Sequence, residues 1–173
     1  MLIQGGNGYI QASSTGTTID AQGQILANAA TGNRYIDFYG SGTILNSGTI
    51  AATLGNDLRL QSGADVENSG TISADGAGSS LQVLNNGTLT NLATGTIDIT
   101  NGATLLLAGT IDNSAGGAVN IGDSTVDLRT TLTTSELTTG FTYTGTNTIV
   151  AYSPSGVIDN TGDTLDLATL GAG

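Results

Sequence analysis

The sequence predicts an all-β protein: a single-stranded parallel β-helix, or β-solenoid, of about seven three-faced coils of 22–23 residues. Three observations carry this. A short segment, Ile44-Leu45-Asn46-Ser47-Gly48-Thr49-Ile50, recurs along the chain. Aliphatic residues alternate with polar ones in runs of only three to five residues. Gly, Asn, Ser and Asp fill the gaps, as turns needing positive φ would require.

The recurring segment returns as Val66 to Ile72 and then, slightly longer, from Leu89, Ile111 and Ile158. Each copy sets an aliphatic residue two places before an Asn, and another four to six places after it. Counting coils from Ile36, the equivalent positions read as Leu58, Leu81, Ala103, Val126 and Ile149, with steps of 22, 23, 22, 23 and 23 residues and an earlier copy near Ile10.

Each coil reads as three short strands. One is Ile36-Asp37-Phe38, Leu58-Arg59-Leu60, Leu81-Gln82-Val83 and Val126-Asp127-Leu128. The next holds the aliphatic-x-Asn step. The third follows the Gly: Ile50, Ile72, Ile97-Asp98-Ile99, Val119-Asn120-Ile121 and Leu165-Asp166-Leu167. One such coil cannot bury its aliphatic face alone, whereas stacked coils bury continuous columns. At a strand spacing of roughly 4.8 Å, seven coils predict a rod about 34 Å long. The first repeat, Thr18 to Ile25, carries Ala21 where Asn is expected. The sixth, Thr130 to Gly140, keeps Leu132 and Leu137 but loses the Asn and the Gly-Thr-Ile. A bulge, longer loop or shifted strand is expected there. Residues 1–173 therefore read as one β-helix segment with an irregular coil around 129–147.

Composition narrows the function. Fourteen carboxylates against three arginines give a net charge of −11, and Lys, His, Cys and Trp are absent. Nucleic acid and anionic membrane surfaces both need cationic neutralisation, so neither is an expected partner. No run approaches the roughly 18 apolar residues of a membrane span. The N-terminus, Met1 to Gly6, lacks the basic and apolar parts of a signal peptide. Without His or Cys, Ser-His and Cys-His nucleophilic chemistry is excluded.

The motifs Asn-Ser-Gly-Thr-Ile at 46–50 and 68–72, Asn-Asn-Gly-Thr-Leu at 85–89 and Thr-Gly-Thr-Ile at 94–97 resemble the repeats of large exported β-helix proteins of Gram-negative bacteria. These are filamentous-haemagglutinin-like exoproteins and autotransporter passengers. The resemblance spans roughly residues 9–170. It implies a right-handed β-helix, export to the cell surface or beyond, and an adhesive or stalk role within a larger protein. It implies no catalytic residue, because only the structural repeat matches.

The candidate constellations are few. Asn46, Asn68, Asn91, Asn113 and Asn160 recur once per coil, and the first four fall in adjacent coils. They read as a structural amide ladder, with a ligand-binding stripe as the sharper alternative. Asp20, Glu67, Asp112 and Asp159 form a column interrupted by Leu45 and Thr90. A glycosidase needs two carboxylates roughly 5–9 Å apart, so a carbohydrate-active enzyme using residues such as Glu67 and Asp112 is the competing class. The bland reading is a solvated acidic face. Tyr35 and Tyr39, beside Phe38 and Arg34, form the expected contact patch for a glycan or protein if they point outward.

No cofactor is expected. Calcium is the weaker option: Gly5-Gly6-Asn7-Gly8 begins a calcium nonapeptide, but Ile10 stands where Asp is needed. Asp123 with Asp127, or Asp163 with Asp166, would be its other ligands. Broken Thr columns, Thr43, Thr88 and Thr110, and Thr49, Thr71, Thr96 and Thr164, fit strand propensity better than an ice-binding face. Open strand edges at both ends predict partners: further coils of a parent chain, or other copies stacked end to end.

Overall fold

The computed structural model describes residues 1–31, 34–61, 63–151 and 156–162. Among these, 21 strands wind into seven coils, three strands to a coil, and every strand pairing is parallel. The protein is a β-solenoid.

The first sheet stacks Leu2–Gly5, Gln24–Ala27, Thr49–Ala52, Thr71–Asp75, Thr96–Thr100, Ala118–Gly122 and Thr142–Thr144. The second stacks Asn7–Ala12, Tyr35–Gly40, Asp57–Leu60, Ser80–Val83, Thr104–Leu107, Thr125–Leu128 and Thr148–Ala151. The third begins with Thr18–Ala21, Thr43–Asn46, Asp65–Asn68, Thr88–Asn91 and Thr110–Asp112 and then breaks. Thr131–Thr133 and Val157–Asp159 resume the same face as a separate pair.

Strand alternation sends every second side chain inward. The result is a core of stacked columns. Ile25, Ile50, Ile72, Ile97 and Val119 follow one another in the first sheet. Phe38, Leu60, Val83, Leu107 and Leu128 do so in the second, and Ile44, Val66 and Leu89 in the third. All of these are buried. At the first coil the same columns end on Ile3, Ile10 and Ile19, which are only partly covered.

Two register assignments made from sequence are corrected. Leu81 pairs with Leu105, not Ala103, so the steps from Ile36 are 22, 23, 24, 21 and 23 residues. Four residues separate Asn91 from Thr96 but only two separate Asn68 from Thr71, and this longer corner, offset in part by the shorter link from Thr100 to Thr104, lengthens the step. Ala103 is fully buried in the corner just before the strand. In the first coil Gly8, not Ile10, lies opposite Ile36, while Ile10 lies opposite Phe38. The strand predicted at Leu165–Leu167 and the column member Thr164 lie outside the described residues, as do Asp163 and Asp166.

In the sixth coil, an α-helix, Thr134–Thr139, follows the strand Thr131–Thr133. A capping box starts it: Thr133 Oγ1 accepts from Glu136 N, and Glu136 Oε2 accepts from Thr133 N. Leu137 anchors it in the core, where it is fully buried.

Candidate functional site

The Asn ladder is built by the third sheet. Asn46, Asn68 and Asn91 each end their strand, point inward, and make two amide donations across the coil gap. Asn46 Nδ2 donates to Asn68 Oδ1 at 2.7 Å and to Thr71 O at 3.1 Å. Asn68 donates to Asn91 Oδ1 at 2.8 Å and Thr96 O at 3.1 Å; Asn91 donates to Asn113 Oδ1 at 3.0 Å and Ala118 O at 3.1 Å. Asn46, Asn68 and Asn91 are essentially inaccessible, at 1 %, 0 % and 0 % exposure. They cannot form a ligand-binding stripe on the surface.

Both ends of the ladder have a residue-level cause. Below Asn46 stands Ala21, so Asn46 Oδ1 accepts instead from Gly48 N of its own corner at 3.2 Å. Above Asn113 the equivalent position is Thr134, the first residue of the helix. Asn113 keeps its backbone donation, to Gly140 O at 3.1 Å. Asn160 lies one coil further on, exposed, and its Oδ1 accepts from Thr134 Oγ1 at 2.7 Å. It is therefore joined to Thr134 and not to the other four.

The corner Gly needs a different account from the one its turn setting suggests. Gly48, Gly70, Gly95 and Gly117 are not in the positive-φ region. A Cβ on Gly70 would overlap Gly48 O, and one on Gly95 would overlap Asn68 O and Asn91 Oδ1. These glycines make room for the neighbouring backbone and for the ladder. Left-handed turns fall elsewhere, at Asn86, Asn101 and Asp123 and at Leu54, whose side chain gains nothing from that conformation.

A second buried polar column escaped the sequence reading. Asn56, Ser79, Ser124 and Asn147, with Ala103 between them, precede the last five second-sheet strands. Gly55 N donates to Ser79 Oγ at 3.0 Å, Ser124 N to Asn147 Oδ1 at 3.0 Å, and Asn56 Nδ2 to Ala29 O at 2.9 Å. The signal was a small or amide residue immediately before each of these five strands, which no single recurring type announces.

The carboxylate column is confirmed in register but not as a pair of neighbours. Asp20, Leu45, Glu67, Thr90 and Asp112 succeed one another, so the acids stand two coils apart, roughly 9.6 Å by strand spacing. Ser114, through its side chain and its backbone N–H, holds the Asp112 carboxylate below its ordinary pKa, and Thr161 does the same for Asp159. A general acid requires the opposite shift.

Elsewhere the surface acids are tied to donors in the adjacent coil. Asp57 accepts from Ser80 Oγ at 2.7 Å, Asp75 from Thr100 Oγ1 at 2.8 Å, and Asp98 from Asn120 Nδ2 at 2.7 Å. Arg59 reaches Asp37 with two hydrogen bonds, at 2.6 and 3.0 Å. Partial burial opposes the Arg59 charge, but the bonds and attraction of Asp37 outweigh it and raise the guanidinium pKa. Asp127 is bound by Arg129 at 2.8 Å, and Asp123 Oδ1 accepts from Thr146 N at 2.8 Å. Among the described residues no three His, Cys, Asp or Glu side chains converge as a metal site would require.

Tyr35 and Tyr39 do point outward from the second sheet. The Arg59 guanidinium covers the Tyr35 ring at 3.6 Å. Tyr39 meets Tyr9 edge to face at 5.5 Å and donates to Gln11 Oε1 at 3.1 Å. Tyr9, 71 % exposed, is the member of this patch that sequence reading missed. It was hidden because its coil runs 28 residues to the next, off the common period.

A concavity lies where the third sheet breaks. A cleft of about 420 Å³ opens between Thr110–Asp112 and Thr131–Thr133, lined by Ile111, Leu132, Phe141, Asp112 and Glu136. Ile111 and Leu132 belong to the inward column, yet both are only partly buried. On the other two faces the same coils remain hydrogen-bonded.

No protein-family model, curated protein or solved structure matches this chain.

Proposed function

We propose that this chain is a rigid, acidic, non-catalytic rod segment of an exported bacterial surface protein, one that holds or projects other parts of that protein. The observation that supports it best is where the recurring residues are used. The aliphatic columns fill the core, the Asn column bonds coil to coil, and the corner Gly makes room for the coil beside it. Repetition is spent on axial continuity. An export role adds the sequence resemblance to this, together with an acidic, cysteine-free surface.

The rod is also built to be continued. The first coil leaves Ile3, Ile10 and Ile19 partly uncovered above strand edges that have no partner among the described residues. The natural occupant is a further coil of the same kind, from the parent chain or a second copy. Small-angle scattering and sedimentation test this: a rigid rod that lengthens by end-to-end association, or when longer pieces of the parent chain are expressed, agrees with it. A compact particle that stays strictly monomeric, with end-strand amides fully protected from exchange, contradicts it. Turnover of any member of a polysaccharide panel would replace it with the carbohydrate-active reading.

One observation favours a second role on the same rod. Tyr9 and Tyr39 present exposed ring surface flanked by Gln11 and Asp37, a combination suited to stacking on and hydrogen-bonding to a neutral sugar. A glycan array with Tyr9→Ala and Tyr39→Ala variants checks it: signal on the parent and none on the variants supports glycan binding.

A further inference from the structure

We infer that the break in the third sheet is an acceptor slot for one extended peptide strand of another protein, carrying an aliphatic residue followed at once by a basic one. Two strand edges face each other across the cleft. Among the described residues, Thr110–Asp112 pairs only with Thr88–Asn91, and Thr131–Thr133 only with Val157–Asp159. Thr110 N donates to Gly87 O at 3.0 Å, so by strand alternation the N–H and C=O of Ile111 face the cleft. Val157 N donates to Thr130 O at 3.1 Å, so by the same alternation the C=O of Thr131 faces it from the other side. A parallel strand seated between them would find hydrogen-bonding groups on both edges, which is strand addition with two flanks instead of the usual one.

The side chains set the peptide's pattern. Its inward residue would sit between Ile111 and Leu132, whose aliphatic counterparts in intact coils, such as Val66 and Leu89, are 1 % and 0 % exposed. An aliphatic side chain there completes the column. The next residue points outward between Asp112 and Thr133, beside Glu136, both acids lining the cleft. A Lys or Arg at that place is favoured by both charges. The edges are three residues long, so a short segment suffices.

The occupant is not a second copy. In this chain a basic residue follows an aliphatic one only at Leu58-Arg59 and Leu128-Arg129. Both lie in strands paired on both sides within the second sheet.

The test is an NMR titration of the intact chain with three blocked hexapeptides: Thr-Thr-Ile-Lys-Thr-Thr, its transposed form Thr-Thr-Lys-Ile-Thr-Thr, and Thr-Thr-Ile-Glu-Thr-Thr. The first should bind saturably, with shifts at the Ile111 and Thr131 amides. In the transposed peptide the one-residue slip that seats Ile in the core column carries Lys to the other side of it, away from Asp112 and Glu136, so it should bind more weakly than the first. The Glu peptide should bind more weakly than the Lys peptide. The double variant Asp112→Asn, Glu136→Gln keeps the turn bond to Ser114 and the capping box but removes both charges. It should weaken the Lys peptide by about 3- to 10-fold and erase its advantage over the Glu peptide. Absence of saturable binding overturns the inference. So do equal binding of the transposed peptide, shifts mapping outside the cleft, and concentration-dependent shifts of the chain alone at these amides, which would mark a second copy as the occupant.

Discussion

Asn68 accepts an amide hydrogen from Asn46 and donates one to Asn91, at 2.7 and 2.8 Å, while fully buried. The chain of amides is polarised in one direction along the rod, and each link also satisfies a backbone carbonyl at the start of the next coil. Removing a middle member therefore orphans groups on both sides. Asn68→Ala leaves an Asn46 N–H, Asn91 Oδ1 and Thr96 O without their partner. With roughly 1–3 kcal/mol for each buried polar group stranded, and relaxation recovering part of it, the expected loss is about 3 kcal/mol. Asn113→Ala, at the half-exposed end of the ladder, should cost about 1 kcal/mol. Thermal denaturation of the two variants checks the order; equal losses would show that the ladder does not act as a connected unit.

The corner glycines give a second contrast. Gly70→Ala drives a methyl into the Gly48 carbonyl of the neighbouring coil, and overpacking of this kind costs about 1–3 kcal/mol. Gly76 has φ of +86° with open space around its missing Cβ. Gly76→Ala should cost only the left-handed penalty, about 1 kcal/mol. Replacing each residue by Asn separates the causes: Asn tolerates left-handed φ, so it should rescue position 76 and worsen position 70. The measurement is the midpoint of denaturant unfolding.

Asp37 and Arg59 face each other across adjacent second-sheet strands in direct register. Two aligned hydrogen bonds and a ring stacked under the guanidinium make this a better pair than most at a surface, although both side chains remain partly exposed, at 19 % and 25 %. A double-mutant cycle with Asp37→Ala and Arg59→Ala should give a coupling of about 0.5–1 kcal/mol, falling in high salt. Arg59→Lys should retain less than half of it, because an ammonium cannot make the two-pronged contact. A coupling near zero would leave Arg59 as a cover for Tyr35 alone.

The coil architecture was legible because its signal is periodic and each aliphatic column repeats one residue class. The Asn position was legible for the same reason. What the sequence hid depends on non-repeating geometry. The two-residue slide from Ala103 to Leu105 came from loop lengths, which alternation does not record. Tyr9 was invisible because the first long coil breaks the period. The helix at Thr134–Thr139 could be inferred only as irregularity, although Thr133 and Glu136 hold capping-box spacing. The purpose of the corner Gly was misread as backbone freedom because steric approach between coils, unlike turn chemistry, leaves no local mark in the sequence.

The acidic surface sets two opposing pH effects. Asp75, bonded by Thr100 and Asn101, and Asp112, bonded by Ser114, have depressed folded pKa values. A depressed carboxylate contributes stability that is present above its unfolded pKa, about 3.9, and lost as pH falls through the folded value. Against this, a net charge of −11 repels itself at pH 7, and protonation toward the isoelectric point near 4.1 relieves that repulsion. Both follow carboxylate titration: relief of repulsion begins as the ordinary acids take up protons at about pH 5, and the loss of the depressed ones dominates at lower pH. The Tm should therefore rise by about 2–4 °C between pH 7 and 4.5 and fall below about pH 3.5. Added sodium chloride should raise it at pH 7 and raise it less at pH 4.5, where part of the carboxylate charge has been neutralised. A Tm that falls steadily from pH 7, or ignores salt there, would mean that the cross-coil bonds of the surface carboxylates outweigh their mutual repulsion.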